Sequence, residues 1–119
     1  MEDFNGNVKT VGYDNFRIGN NESKYLLESL GTFNGTAANI MELNRKFSTW
    51  DSNNDYRLHS NCAEEYSGGW WYTYFCDKTN LNGRYYENGI FKPDSMTWNG
   101  WDVLKSVQML IRQHSSDVI

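Results

Sequence analysis

Proline occurs once in this sequence, at Pro93, and cysteine only twice, at Cys62 and Cys76. No apolar run approaches the ~18 residues that a membrane span needs, so a transmembrane helix is excluded. Basic residues do not dominate either: 11 Lys and Arg stand scattered against 15 Asp and Glu, for a net charge of −4. That balance leaves no electrostatic footprint for nucleic acid. The opening residues, MEDFNGNVKT, carry neither a basic n-region nor an apolar h-region, so no signal peptide is written into them. Nucleophile elbow, phosphate loop and metal-hydrolase motif are all missing, and we find no internal repeat, heptad or low-complexity segment. The 119 residues suffice for one small domain and not for two.

What is present is aromatic bulk: five Trp, eight Tyr and six Phe. Much of it falls in residues 47–83, FSTWDSNNDYRLHSNCAEEYSGGWWYTYFCDKTNLNG, which also hold both cysteines and the densest run of acidic and amide side chains. Residues 8–18 mix β-branched and aromatic residues with turn formers, a strand pattern. Residues 23–30 fit a strand or a short helix, 31–39 read as a turn, and 40–47 have weak helical character. Residues 45–50 then read as a strand delivering an acidic loop. Asn61 is placed as an N-cap with Glu64 three residues on, which predicts a short helix over 62–66 stopped by Ser67, Gly68 and Gly69. A buried strand is expected at 70–72, running into Cys76, with shorter strands at 84–86 and 106–112 and turns at 81–83 and 87–89. The fold class read from this pattern is α+β, β-dominated and loop-rich, over residues 1–113 with a polar tail at 114–119.

Asp51, Asn53 and Asp55 alternate, so a curled loop can turn their oxygens onto one point, as calcium's six to eight oxygen ligands require. An EF-hand needs Gly at the sixth position and a carboxylate at the twelfth; Tyr56 and Cys62 stand there instead. The plainer reading is a solvated turn capped by its own Asx side chains. Zinc would need more nitrogen or sulfur ligands than His59 and the cysteines offer, and His59 lies too close in sequence to Cys62 for a catalytic pair. A disulfide is the favoured state of Cys62 and Cys76. Glu64 and Glu65 are adjacent on a helix and do not face each other, so an acid–base pair is weak. Trp70, Trp71, Tyr72 and Tyr74 serve as core or as walls of a ligand pocket. The sequons at Asn21 and Asn34 suit a secreted surface.

The motifs FSTWD, NCAEEYSGGWWY, NLNGRYY and LKSVQMLIR, with MEDFNGN, GYDNFRIG, KYLL and GTFNGTA before them, resemble the fibrinogen-like C-terminal domain family of fibrinogen chains, ficolins, tachylectins, angiopoietins and tenascins. The resemblance runs from Met1 to about Arg112 and implies an extracellular, non-enzymatic recognition domain. It implies a disulfide between Cys62 and Cys76, and a cis peptide between Phe75 and Cys76. It places calcium on the side chains of Asn53 and Asp55 and on carbonyls around Arg57 and His59. An acetyl-binding pocket falls on Tyr66, Phe75, Cys76 and Asp77, with further walls in residues 92–101. Two departures weaken calcium: Asn53 stands where Asp is usual, and the loop to Cys62 is one residue longer. The segment 92–101 is shortened, and the Cys-containing subdomain that precedes this half in the family is absent from the sequence. A closing strand over 106–112 would then present an unpaired edge, a route to homo-oligomers. The function implied is lectin-like binding of acetylated glycans in innate defence; the alternative is a protein-binding ligand module of angiopoietin or matrix type.

Overall fold

The computed structural model describes residues 1–76, 79–100 and 102–113. Strand-forming residues near the start fold back on themselves as one long irregular hairpin. Its outer ladder pairs β2 (Val11–Tyr13) with β5 (Phe33–Gly35), and its inner ladder pairs β3 (Arg17–Ile18) with β4 (Leu27–Ser29), both antiparallel. A 3₁₀ turn at Asn21–Ser23 forms the tip, where the Asn20 side chain accepts the Glu22 N–H at 3.0 Å. The remaining pair joins β1 (Glu2–Asp3) to β6 (Leu104–Ser106). One helix, α1 (Cys62–Glu65), and a 3₁₀ turn at Glu87–Gly89 complete the regular structure. The result is strand-rich and loop-rich, as its sequence pattern requires.

Several segments depart from expectation. Residues 33–35 form a strand although Gly and Asn disfavour one, because cross-strand contacts supply what propensity lacks: the Tyr13 and Phe33 rings sit 5.6 Å apart. Gly35 is required there, since a Cβ would run into the Thr10 carbonyl. Residues 40–47 are not helical. They run beside β4 instead, with Leu27 N–H donating to Arg45 O and Asn44 N–H to Leu27 O, both at 2.9 Å. The expected strands at 45–50 and 70–72 shrink to one antiparallel bridge, Ser48 with Trp70, closed by bonds of 3.0 and 3.1 Å. The strand at 84–86 is a single parallel bridge between Arg84 and Ser95. The closing strand lies at 104–106 rather than 106–112, because β1 offers it only two residues of partner. The tail at 114–119 lies outside the described residues.

The core gathers Ala37, Cys62, Ala63, Trp70, Tyr72, Cys76, Leu81, Trp98 and Leu104, so α1 and the disulfide lie at its centre. Alternation along 70–72 sends Trp70 and Tyr72 inward, both 1% exposed, while Trp71 faces the hairpin. There Trp71 meets Phe16 and Phe47 edge-on and donates its indole N–H to Tyr25 O at 2.8 Å.

Candidate functional site

The N-terminus of α1 organises the acidic loop. Asn61 caps the helix as expected, its Oδ1 accepting the Glu64 N–H at 3.2 Å, while its Nδ2 donates to Trp50 O at 2.9 Å. Asp55 reaches the same helix end: its Oδ2 accepts the Cys62 N–H at 2.8 Å and its Oδ1 the Arg57 N–H at 2.9 Å. Asn53 Oδ1 accepts the Asp55 N–H at 3.2 Å, and its Nδ2 donates to Ser60 O at 3.2 Å. Asp51 turns away, accepting the Thr49 hydroxyl at 2.7 Å. Arg57 pairs with Glu65 at 3.2 Å and donates to Cys76 Sγ at 3.5 Å, and His59 is exposed.

These residues do not fit a tight calcium site. One carboxylate and one amide serve the loop's own backbone donors and do not converge on a point, whereas the ion needs six to eight oxygens. Among the described residues no three His, Cys, Asp or Glu side chains gather to hold a metal.

Cys62 and Cys76 form a disulfide, with Cα atoms 5.6 Å apart. The peptide between Phe75 and Cys76 is trans, against expectation. The turn closes differently: Cys76 adopts a left-handed φ of 70° and donates its N–H to Thr73 O at 3.0 Å. Cys76 is thereby buried while Tyr74 and Phe75 stand in solvent, 55% and 67% exposed, with rings edge-on at 5.0 Å. Of the four expected pocket residues, Tyr66 is half-buried, Phe75 exposed and Cys76 buried; Asp77 lies outside the described residues, as does Trp101 in the expected wall. A hollow of about 40 Å³ lies elsewhere, bordered by Met1, Lys9 and Trp98, and is far too small for a sugar.

Two polar hubs escaped the sequence reading. Asn80, 3% exposed, donates to Tyr66 O at 2.7 Å and to the Tyr72 hydroxyl at 3.1 Å, while Tyr72 donates to Gly68 O at 2.5 Å. Burial, then the nearby Asp55 and Tyr66, push the Tyr72 hydroxyl well above its ordinary pKa, so it remains a donor. Gly68 is required at this crossing, because a Cβ would strike the Asn82 carbonyl. The second hub is Asp94, which accepts the Tyr86 hydroxyl at 2.6 Å and the Ser67 hydroxyl at 2.9 Å, with Arg84 at 3.8 Å. Burial alone would raise this carboxyl; the two hydroxyls and Arg84 outweigh it and hold the group below its ordinary value. The turn-forming run at 80–83 was the only signal for Asn80, and none marked Asp94.

Residues 1–114 match the family of the C-terminal globular domain of fibrinogen beta and gamma chains. This chain belongs to that family. The fibrinogen-like domain is 37% identical to human fibrinogen-like protein 1, over 94% of this chain and 41% of that protein. It is 40% identical to human angiopoietin-related protein 7, over 94% of this chain and 34% of the other. The fibrinogen-like globe domain of human ANGPTL6 superposes with a TM-score of 0.78 at 31% identity, covering 88% of this chain and 50% of that one. Lamprey fibrin D-dimer, solved with the peptide Gly-His-Arg-Pro-amide, shares the fold at a TM-score of 0.76 and 22% identity, over 98% and 48% of the two chains. The chain thus spans about half of the globe domains it resembles and two fifths or less of these two relatives.

Proposed function

We propose that this fibrinogen-like domain is an extracellular module that acts by binding another protein rather than by catalysis. The observation that carries the reading is the apolar rim of the disulfide loop. Leu58, 90% exposed, and Tyr74 and Phe75 stand on two loops that the Arg57 contact to Cys76 Sγ draws together. Exposed aromatic side chains beside an arginine match the composition of protein-binding hot spots. The kinship with angiopoietin-related and fibrinogen-like proteins points the same way. The sequon residues Asn21 and Asn34 are exposed on the hairpin, where N-glycans would leave the rim free.

A second reading, lectin-like binding of acetylated glycans in innate defence, rests on Tyr66. Its ring is half-buried with its centroid 6.5 Å from that of Tyr72, and could serve as one wall for an acetyl group held with Phe75, Cys76 and Asp77. Calcium at Asn53 and Asp55, with carbonyls of Arg57 and His59, belongs to that reading as a weak site only.

Retention on an N-acetylglucosamine resin, beside capture of extracellular-matrix proteins, separates the two. The protein-binding reading expects no sugar retention, and matrix capture that is indifferent to free N-acetylglucosamine and lost in the double variant Leu58→Ser, Phe75→Ser. Sugar retention abolished by Tyr66→Ala would reverse the order of the readings.

A further inference from the structure

The chain beyond β6 has the makings of a strand without a partner. Residues 107–113, Val-Gln-Met-Leu-Ile-Arg-Gln, continue directly from Ser106 and contain neither proline nor an acidic side chain. Val107 packs against the core, and the chain then runs outward: Met109, Leu110 and Ile111 are 55%, 80% and 87% exposed. Among the described residues, no backbone group from Gln108 to Gln113 makes a hydrogen bond. Consecutive exposed apolar residues on an open backbone are a template for strand addition.

We propose that the occupant is a second copy of this chain, added antiparallel about a two-fold axis through Leu110. An isologous pair requires a self-complementary segment, and this one meets the test. Centred on Leu110, the pairing sets Met109 against Ile111 of the second copy, Gln108 against Arg112, and Val107 against Gln113. Strand alternation then places Met109 and Ile111 of both copies on one face as a continuous apolar cluster. On the other face the two Leu110 side chains meet, flanked by Gln108 amides that can accept from Arg112. No like charges oppose one another, whereas a parallel in-register pair would stack Arg112 on Arg112. The added strands would prolong the β1–β6 pairing into a four-stranded sheet across the dimer. The chain's net charge of −4 opposes association, but the pairing segment itself is free of acidic groups and salt screens the remainder.

Light scattering with size-exclusion chromatography, run from low-micromolar to submillimolar protein, tests this. A concentration-dependent dimer is expected, and Leu110→Lys, which sets two lysines face to face on the axis, weakens it about tenfold or more. Leu110 is so exposed that its thermal midpoint should not move, which separates lost association from lost folding. Register is read by cross-linking, since the described residues hold no free cysteine. Leu110→Cys should form a disulfide-linked dimer under mild oxidation, and Gln108→Cys should not, because its neighbour across the axis is Arg112. A chain that stays monomeric throughout the range overturns the proposal and leaves the strand to another polypeptide, such as the remainder of a fibrinogen-like globe. Gln108→Cys cross-linking as readily as Leu110→Cys overturns the register.

Discussion

Residues 70–72 and 74–75 hold five aromatic side chains within six positions, and the two groups have opposite fates. Trp70 and Tyr72 are 1% exposed and Trp71 is wedged against the hairpin, while Tyr74 and Phe75 project from the same stretch into solvent. The difference is made at Thr73 and Cys76. Their turn bond reverses the chain, and the disulfide to α1 anchors the far side, so the two residues between them cannot reach the core. Aromatic content therefore measures packing on one side of Thr73 and offers contact surface on the other.

The contrast breaks most sharply at Trp70. Trp70→Ala should cost about 3–5 kcal/mol in denaturant unfolding, whereas Phe75→Ala should stay within about 0.5 kcal/mol. Equal effects would mean that the two groups are not distinct. Opening the loop comes next: replacing both Cys62 and Cys76 with Ser, which are 14 residues apart, should remove about 3 kcal/mol. A loss confined to exchange protection around Tyr74 and Phe75 would show that the disulfide shapes only the rim.

Asn80→Ala probes the inner group more gently. It strips partners from the Tyr66 carbonyl and the Tyr72 hydroxyl and should cost roughly 1–3 kcal/mol in thermal melts. Acid is the mildest probe. Because Asp94 is held below its ordinary value of 3.8, the stability it adds is complete above that value and disappears as pH falls through the lower folded pKa. Asp94→Asn should flatten that part of the acid limb and leave the neutral-pH rim untouched. An unchanged acid limb would remove Asp94 from the account.

What was legible in the sequence was local. Asn61, Glu64 and the stop at Ser67 lie within one helical turn of the elements they define, and α1 forms there. Alternation through Trp70 and Tyr72 was readable for the same reason. Strand β5 was not, because its Gly and Asn residues join a ladder only when Val11–Tyr13 arrives from more than twenty positions away. The Asn80 and Asp94 hubs are equally non-local, and the trans peptide before Cys76 followed from a turn geometry that the family motif does not encode. At the site itself, motif order located Asn53, Asp55 and Tyr66. It did not reveal that Asp55 would be turned inward to hold the start of α1.

The pairing of β1 with β6 bears on how such a chain is made. Glu2 and Asp3 leave the ribosome first, yet the partners that complete their ladder, Leu104 and Ser106, emerge about a hundred residues later. Loop closure over that span adds an entropic cost that local contacts cannot offset early. The hairpin of residues 11–35 can form during synthesis, whereas the sheet that joins the two ends must wait for the polypeptide to be almost finished. A chain stalled before residue 104 would hold a nascent first strand with nothing to pair against, a state in which chaperone capture or aggregation competes with folding.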